Sequence, residues 1–469
     1  MRIWGLLLAA LCFAQSATAT EKLELLNATL VARFHFAEKA TDGQMVGAYQ
    51  VSFRNTGNTP ITSATILLNP GLKVDQIVGA GGARLQYTNH IAKVGGFGAL
   101  ELNVIDIPLA TPLKKTGKRQ EIVIHYRGFL EDLSVAGLSG VKETLHPDFT
   151  MIRAQSFVYP VFANPNKQAI HTAWAHKPFH QVAFLDIPGT NSVIGNLDVT
   201  ARTTNGAFTR FEMKSDHATN LMGLAIAPYT IQHEGIICMG TLPGSEDYMT
   251  TIMTATKDGI AQLTAALGAP RSGAKLKLAA VPTAYVVTRD PTFLMMPPLD
   301  GMAISASHMR AQLFNLWQTN PAKRANHWGT GLDVVAEAVL SGPEQLNILR
   351  KAIFPDVLNA STANASFGKT AIVDMLADGF ASDMDATGVL VFSVLYDLLG
   401  EEEFFALVRG LRADLSVGYA DMQSVADYLD ENIADKKARK FAENWFQKGR
   451  IGKDMKKANS FEELVALYR

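Results

Sequence analysis

The chain changes its hydrophobic rhythm once. From Leu23 to about Tyr229, short segments rich in β-branched and aromatic residues, such as Asn27 to Phe36 and Val46 to Phe53, alternate with turn-forming stretches. Those stretches are Asn55-Thr-Gly-Asn58, Asn69-Pro-Gly71, Gly79-Ala-Gly-Gly82, Gly95-Gly96 and Asn205-Gly206. Glycine and asparagine tolerate the backbone of tight reversals, and β-branched side chains suit a pleated, half-buried surface. The pattern predicts an antiparallel β-sandwich or saddle-shaped sheet domain over 20–230.

From about Ile231 the rhythm becomes helical. A strand around Gly235 to Met239 precedes a helix near Tyr248 to Leu267, and Gly268-Ala-Pro270 then turns the chain into a strand ending at Val281-Pro282. Further on, Met309, Leu313, Leu316 and Trp317 recur at i, i+4, i+7 and i+8, the stripe of an amphipathic helix. Ser307 is predicted to cap that helix and Asn320-Pro321 to stop it. Asp421 and Ser460 also read as N-caps, and Ser460-Phe-Glu-Glu463 has the capping-box spacing. The expected fold class is α+β, with a mainly helical domain over 231–469.

At 469 residues and 48% apolar content the chain has room for two or three domains with sizeable cores. Its first residues change the picture more. Arg2, the apolar run Ile3 to Ala14 and the small-residue triplet Ala17-Thr18-Ala19 have the layout of a secretory signal over 1–19, with a core too short to span a bilayer. The expectation is an exported protein of a bacterial periplasm. Once Cys12 leaves with the signal, Cys238 remains alone, so no intrachain disulfide is possible. A later apolar run, Gly388 to Gly400, is interrupted by Asp397 and is also too short to span.

The formal charge is −1, and removing Arg2 makes it −2, which gives no electrostatic reason to expect nucleic acid. Between Lys436 and Lys457, however, nine Lys or Arg face only Glu443 and Asp454. Such a run is the solvated face of a helix or, alternatively, a peripheral contact for an anionic membrane or an acidic partner. Nothing in the sequence fixes an oligomeric state.

Three histidines, His171, His176 and His180, are spaced as a metal site would be if the segment were helical. Pro165, Pro178 and Pro188 argue for extended or looping chain instead, and histidines without Cys or carboxylate partners are a weak metal signal. A serine or cysteine hydrolase has little support, because there is no Gly-x-Ser-x-Gly elbow and Cys238 sits in an apolar run.

Several landmarks occur together and in order. They are Phe53-Arg-Asn-Thr-Gly57, Ile124-His-Tyr-Arg-Gly-Phe-Leu130, Phe157-Val-Tyr-Pro160, Asp300-Gly-Met-Ala-Ile304, Ala311-Gln-Leu-Phe-Asn-Leu-Trp-Gln-Thr-Asn320, His327-Trp-Gly-Thr-Gly331, Gly388 to Phe405, and Phe441 to Trp445. In that order they resemble the aminopeptidase N family of gluzincin zinc peptidases. The resemblance implies a saddle-like β-domain followed by a thermolysin-like helical domain, and it stops after Trp445.

The resemblance also implies where the chemistry would lie. The family's two zinc-binding histidines fall on Ala311 and Asn315, its general-base glutamate on Gln312, and its third zinc ligand on Thr330. Its amine-binding glutamate falls on Ala303, and its oxyanion-stabilising tyrosine on Asp385. Alanine cannot ligate, amides and a neutral hydroxyl are poor zinc ligands, and an anion is the wrong partner for an oxyanion. Only eight positions separate Ala303 from Ala311, fewer than the family usually places there.

These residues lead to one expectation and one alternative. The expectation is a non-catalytic, aminopeptidase N-like protein without a cofactor that binds a peptide or protein segment, with Arg310, Asn315, Trp317 and Asn320 nearest to lining a cleft. The alternative is an active zinc metallopeptidase whose ligands have moved to His308, His327, Asp333 and Glu337.

Overall fold

The computed structural model describes the chain except for residues 1–19, 40–41, 116–118, 139, 175–177, 216–217, 220, 284, 286–288, 291, 299–303, 318–327, 376–377, 381–382 and 415–421, and at 21, 289–290, 328–330 and 414 it describes the backbone alone. The chain divides into two compact units, one comprising Met1–Met249 with Leu276–Gly301 and the other Thr250–Lys275 with Met302–Arg469. The predicted signal, His176, Ala303, Asn320, His327, the Thr330 side chain and the predicted cap Asp421 all lie outside the described residues.

The first unit is built on a seven-stranded sheet. Its order is Asp198–Asn205, Phe208–Lys214, His180–Pro188, Leu23–His35, Gln44–Asn55, Gln120–Gly128, Leu72–Val78. The central strand shows period-two burial. Ala28, Leu30, Ala32 and Phe34 are buried, whereas Asn27, Val31, Arg33 and His35 are exposed. The inward rows join Tyr49, Phe53, Tyr126 and Phe157 in a shared core. A four-stranded sheet (Thr88–Lys93, Glu101–Leu113, Ile61–Leu68, Val161–Phe162) contributes to the same core, and a three-stranded sheet (Ser192–Gly195, Gly223–Ala227, Thr150–Arg153) completes the N-terminal part of the unit.

Two departures from the sequence expectation are informative. The sheet is not wholly antiparallel, because Leu23–His35 runs parallel to His180–Pro188. Parallel partners need a long crossover, and here most of the N-terminal unit is threaded between them. In addition, Lys167–Trp174 is a helix (α1), so His171 does not sit in extended chain. Pro165 lies just before α1 rather than within it, and Asn166 Oδ1 accepts the Ala169 N–H at 2.8 Å, satisfying one of the helix's open donors.

The register of the large sheet also sets an ion triad on its exposed face. Arg33 is level with Asp186, and Asp186 with Arg210, on three adjacent strands. Arg33 Nη2 lies 2.9 Å and Arg210 Nε 2.7 Å from the carboxylate, with the arginine side chains 53% and 48% exposed. The Arg210 hydrogen bond, followed by that of Arg33, holds the Asp186 carboxyl below its usual range.

A five-stranded mixed sheet follows, in the order Thr230–Glu234, Ile237–Thr241, Leu276–Ala280, Phe293–Met296, Arg289–Asp290. Leu276–Ala280 pairs in parallel with both neighbours and is buried throughout, as an interior parallel strand should be. Its one charged residue, Lys277, reaches Asp198 at 2.5 Å. The helix Glu246–Leu267 (α2) links Ile237–Thr241 to Leu276–Ala280 and continues into the second unit.

The second unit is helical. After α2 come Ala306–Leu313 (α3), a 3-10 turn at Phe314–Trp317, Trp328–Leu340 (α4), Pro343–Ala363 (α5), Met384–Leu399 (α6), Glu401–Asp414 (α7), Met422–Asn432 (α8), Lys436–Phe446 (α9), Ile451–Met455 (α10) and Phe461–Ala466 (α11). The apolar run in α6 is its core, with Val389 to Leu395 buried without a break and α4, α5, α7, α9 and α11 packed around it. Among the described residues no helix is long and apolar enough to cross a membrane.

Helix α4 comes unusually close to α6. A Cβ on Gly331 would lie 2.6 Å from the Gly388 carbonyl carbon, so the crossing requires glycine there. At the C-terminus, the buried Asp454 accepts from Trp445 Nε1 at 3.1 Å and from the Tyr468 hydroxyl at 2.5 Å. Ser460 caps α11 as predicted, its hydroxyl accepting the Glu463 N–H at 3.2 Å. Asn459, rather than Ser460, is the backbone donor that the Glu463 carboxylate takes, at 2.7 Å. The basic run forms α9 and α10, and Lys436, Lys437, Lys440, Lys453, Lys456 and Lys457 are exposed.

Candidate functional site

Helix α3 is where the sequence resemblance places the family's metal-binding helix. It is capped by Ser305 rather than by the predicted Ser307. The Ser305 hydroxyl accepts the His308 N–H, and the His308 ring turns back so that Nδ1 lies 2.7 Å from the same hydroxyl. Ser307 instead faces α4, donating to Glu337 Oε1 at 2.7 Å.

The α-helical ladder ends at Leu313, earlier than the apolar periodicity predicts. Three tertiary hydrogen bonds seize the segment that would have been its last turn. Arg412 Nη1 takes the Phe314 carbonyl at 2.9 Å, the Arg271 N–H takes the Leu316 carbonyl at 3.0 Å, and Trp317 Nε1 donates to the Gly268 carbonyl at 2.7 Å. Tertiary context has overridden local propensity, and the chain tightens into a 3-10 turn.

The predicted site residues are therefore divided. Ala311 is exposed on α3, Gln312 beside it is half-buried, and Asn315 is half-buried in the 3-10 turn. Ala311 and Asn315 keep their four-residue spacing but lose the single α-helical face that a two-histidine site needs. Asp385 is exposed in the first turn of α6, where its charge suits the helix N-terminus.

Arg310 and Trp317, expected to line a cleft, are 4% and 7% exposed. Their polar ends are committed within the helical unit. The Arg310 guanidinium is forked onto Glu337, with Nε to Oε2 and Nη2 to Oε1 both at 2.8 Å, while Nη2 also donates to Ser341 Oγ at 2.8 Å and Nη1 to Gln262. Ser341 Oγ in turn donates to Glu337 Oε1 at 2.9 Å. This joins α2, α3 and the end of α4 through one polar network centred on the buried Arg310.

A second arginine closes the other side. Arg412 on α7 is paired with Asp333, one turn before Glu337 on α4, and its guanidinium carbon stands 5.1 Å from the centre of the Phe314 ring. Burial pushes Arg412 down to about 9, still high enough to be charged at neutral pH. Sequence reasoning missed Arg412. Its signal is a charged residue continuing the buried stripe of Phe404, Leu407, Val408 and Leu411.

Among the described residues the donor set does not fit zinc, His327 and the Thr330 side chain lying outside them. Ala311 has no donor atom, Gln312 and Asn315 offer neutral amides, and three of the four relocated ligands of the alternative are occupied, Asp333 by Arg412, Glu337 by Arg310 and His308 by Ser305. Among the described residues no three His, Cys, Asp or Glu side chains are gathered so as to hold a metal ion. His171 instead packs against Phe97 and Trp174, with ring centroids 5.8 and 5.4 Å away, and His180 opens a strand.

No family model matches the sequence, and no curated protein matches it. Solved structures do. An M1 zinc metallopeptidase from Deinococcus radiodurans superposes with a TM-score of 0.59 over 92% of this chain and 95% of that one, at 12% identity. A mutant of that enzyme bound to a Tyr-Ser-Ala substrate gives a TM-score of 0.60 over the same shares at 13% identity. Yeast LTA4 hydrolase in complex with bestatin gives 0.58 over 92% of this chain and 69% of that one, at 14% identity. At these identities the likeness is one of fold. The architecture is that of M1 metallopeptidases, a β-rich N-terminal part followed by a helical C-terminal part.

Proposed function

We propose that this protein is an exported, aminopeptidase N-like pseudopeptidase of the cell envelope, which binds a peptide or protein segment and does not cleave it. One observation carries the reading: in the α3–α4 region the anionic groups able to replace absent zinc ligands, Asp333 and Glu337, are both already neutralised by buried arginines. A gluzincin site needs anionic or imidazole donors with open lone pairs directed at one point. Here Ala311, Gln312 and Asn315 supply none.

Support for a peptide as the ligand class comes from a fold neighbour that is described with a Tyr-Ser-Ala substrate. The export assignment rests on the Arg2-to-Ala19 layout of the sequence.

The test uses the purified mature chain with aminoacyl and tripeptide substrates, with and without a chelator. The expected result is no release of free amino acid and saturable binding of Tyr-Ser-Ala or a longer peptide by calorimetry. Chelator-sensitive release of the N-terminal residue would establish the active-enzyme alternative instead.

A further inference from the structure

The misfit with zinc has a structural counterpart. Asp333 and Glu337 are four residues apart, so they stack on one face of α4. Each is held by an arginine from a different element, Arg310 of α3 and Arg412 of α7. Both guanidinium side chains are only 5% exposed, and their carboxylates are 14% and 25% exposed. The four charges sum to zero.

We propose that these two arginines do the cross-linking that a metal ion performs between the ligand helices of a zinc peptidase, so that the helical unit is held together without a metal and excludes one. The inference goes beyond the reading above, because it concerns what holds α3, α4 and α7 rather than what the protein binds.

The geometry supports it in three ways. The Arg310 fork is bidentate, the arrangement in which a guanidinium fixes direction as well as distance. Most of the other polar groups are used locally, with Ser307 and Ser341 donating to Glu337 and Arg412 donating also to the Phe314 carbonyl, although the buried Arg412 Nε has no hydrogen-bond partner. Finally, a divalent cation approaching either carboxylate would have to displace a guanidinium already seated there, and would meet its positive charge at contact distance.

A cross-link made of buried charge has a recognisable signature. Removing one partner strands the other, whereas replacing both with apolar groups of similar size restores most of the stability. Metal cross-links behave differently and respond to chelators.

The experiment is thermal melting of the full mature chain with excess EDTA, with excess zinc sulfate, and in three variants. For the wild type the expected result is the same midpoint in both additives. Arg310→Met and Arg412→Met are each expected to lower the midpoint by roughly 10 °C. Arg310→Met combined with Glu337→Leu is expected to recover at least half of that loss. A midpoint lowered by EDTA or raised by zinc overturns the proposal, as does wild-type melting of Arg310→Met. Should a single variant fail to fold, the double variant decides: soluble protein melting near wild type supports the arginine cross-link, and failure of both overturns it. Amino-acid release by the wild-type chain would retract the pseudopeptidase reading and leave these melting outcomes to stand separately.

Discussion

Two of the arginine–carboxylate groups among the described residues differ in the exposure of their arginines and so in the consequence of losing one. On the open face of the large sheet, Asp186 sits between Arg33 and Arg210, both about half exposed at 53% and 48%. In the helical unit, Glu337 and Asp333 are gripped by Arg310 and Arg412, each 5% exposed. Water screens the two arginines of the first group, although the Asp186 side chain between them is only 10% exposed. In the second the guanidinium groups are shielded from water while Glu337 and Asp333 keep part of their access to it, so each arginine depends on its carboxylate for its burial. The difference teaches that an ion pair must be weighed by its surroundings. The buried pairs stand where the sequence leads one to look for a metal.

The sharpest way to break this comparison is to remove Arg412. Arg412→Met leaves Asp333 and the Phe314 carbonyl without their donor, and is expected to cost about 3–5 kcal/mol in urea unfolding of the full chain. A loss under about 1 kcal/mol would mean that the buried pair behaves like a surface one.

A somewhat smaller effect is expected from moving the platform that presents both carboxylates. Gly331 lets α4 settle on Gly388 of α6, and a methyl there would meet backbone atoms at 2.6 Å. Gly331→Ala should therefore cost roughly 2–3 kcal/mol, the upper part of the usual overpacking range, and should weaken both arginine pairs together. Combining it with Arg412→Met should give less than the sum of the two losses, as coupled sites do.

The surface triad should respond to pH in one direction. The Asp186 carboxyl is held below its usual range, first by the Arg210 hydrogen bond and then by Arg33. A depressed carboxyl contributes stability above its unfolded pKa and loses that contribution as pH falls through its folded one. Asp186→Asn should thus be slightly less stable than wild type at neutral pH, and the gap should close in strong acid. A gap that widened on acidification would reverse the assigned sign.

Smallest of all is Arg33→Ala. Arg210 stays in place, so the change should fall within roughly 0.5 kcal/mol and shrink further in high salt. Loss of the contact between the Arg33 guanidinium and the Phe208 ring, 5.0 Å away, adds to it only in part.

Much of the architecture was legible because its causes are local. The turn residues behave as their chemistry requires, Asn55 Oδ1 accepting the Gly57 N–H at 2.7 Å and Asn69 Oδ1 the Gly71 N–H at 3.1 Å. The run from Gly388 to Gly400 forms the core helix of its unit because a length too short for a bilayer still suits a protein interior.

What escaped the sequence reading has distant causes. The parallel pairing of Leu23–His35 with His180–Pro188 joins segments that no local pattern connects. Helix α1 was hidden by Pro165, a breaker within a helix but harmless just before one. Helix α3 ends early because Arg412 reaches Phe314 across 98 positions. Arg310 and Trp317 hold motif positions that suggest a cleft, while their burial and the partners of their polar ends depend on distant residues that the motif does not reveal.

The most direct test of the account is the zinc content of the purified mature chain after incubation with zinc and removal of unbound ion, read by elemental mass spectrometry. The account predicts zinc far below one ion per chain, unchanged when Asn315 is replaced by Ala. One firmly held zinc per chain, lost on replacing Asp333 or Glu337, would contradict it.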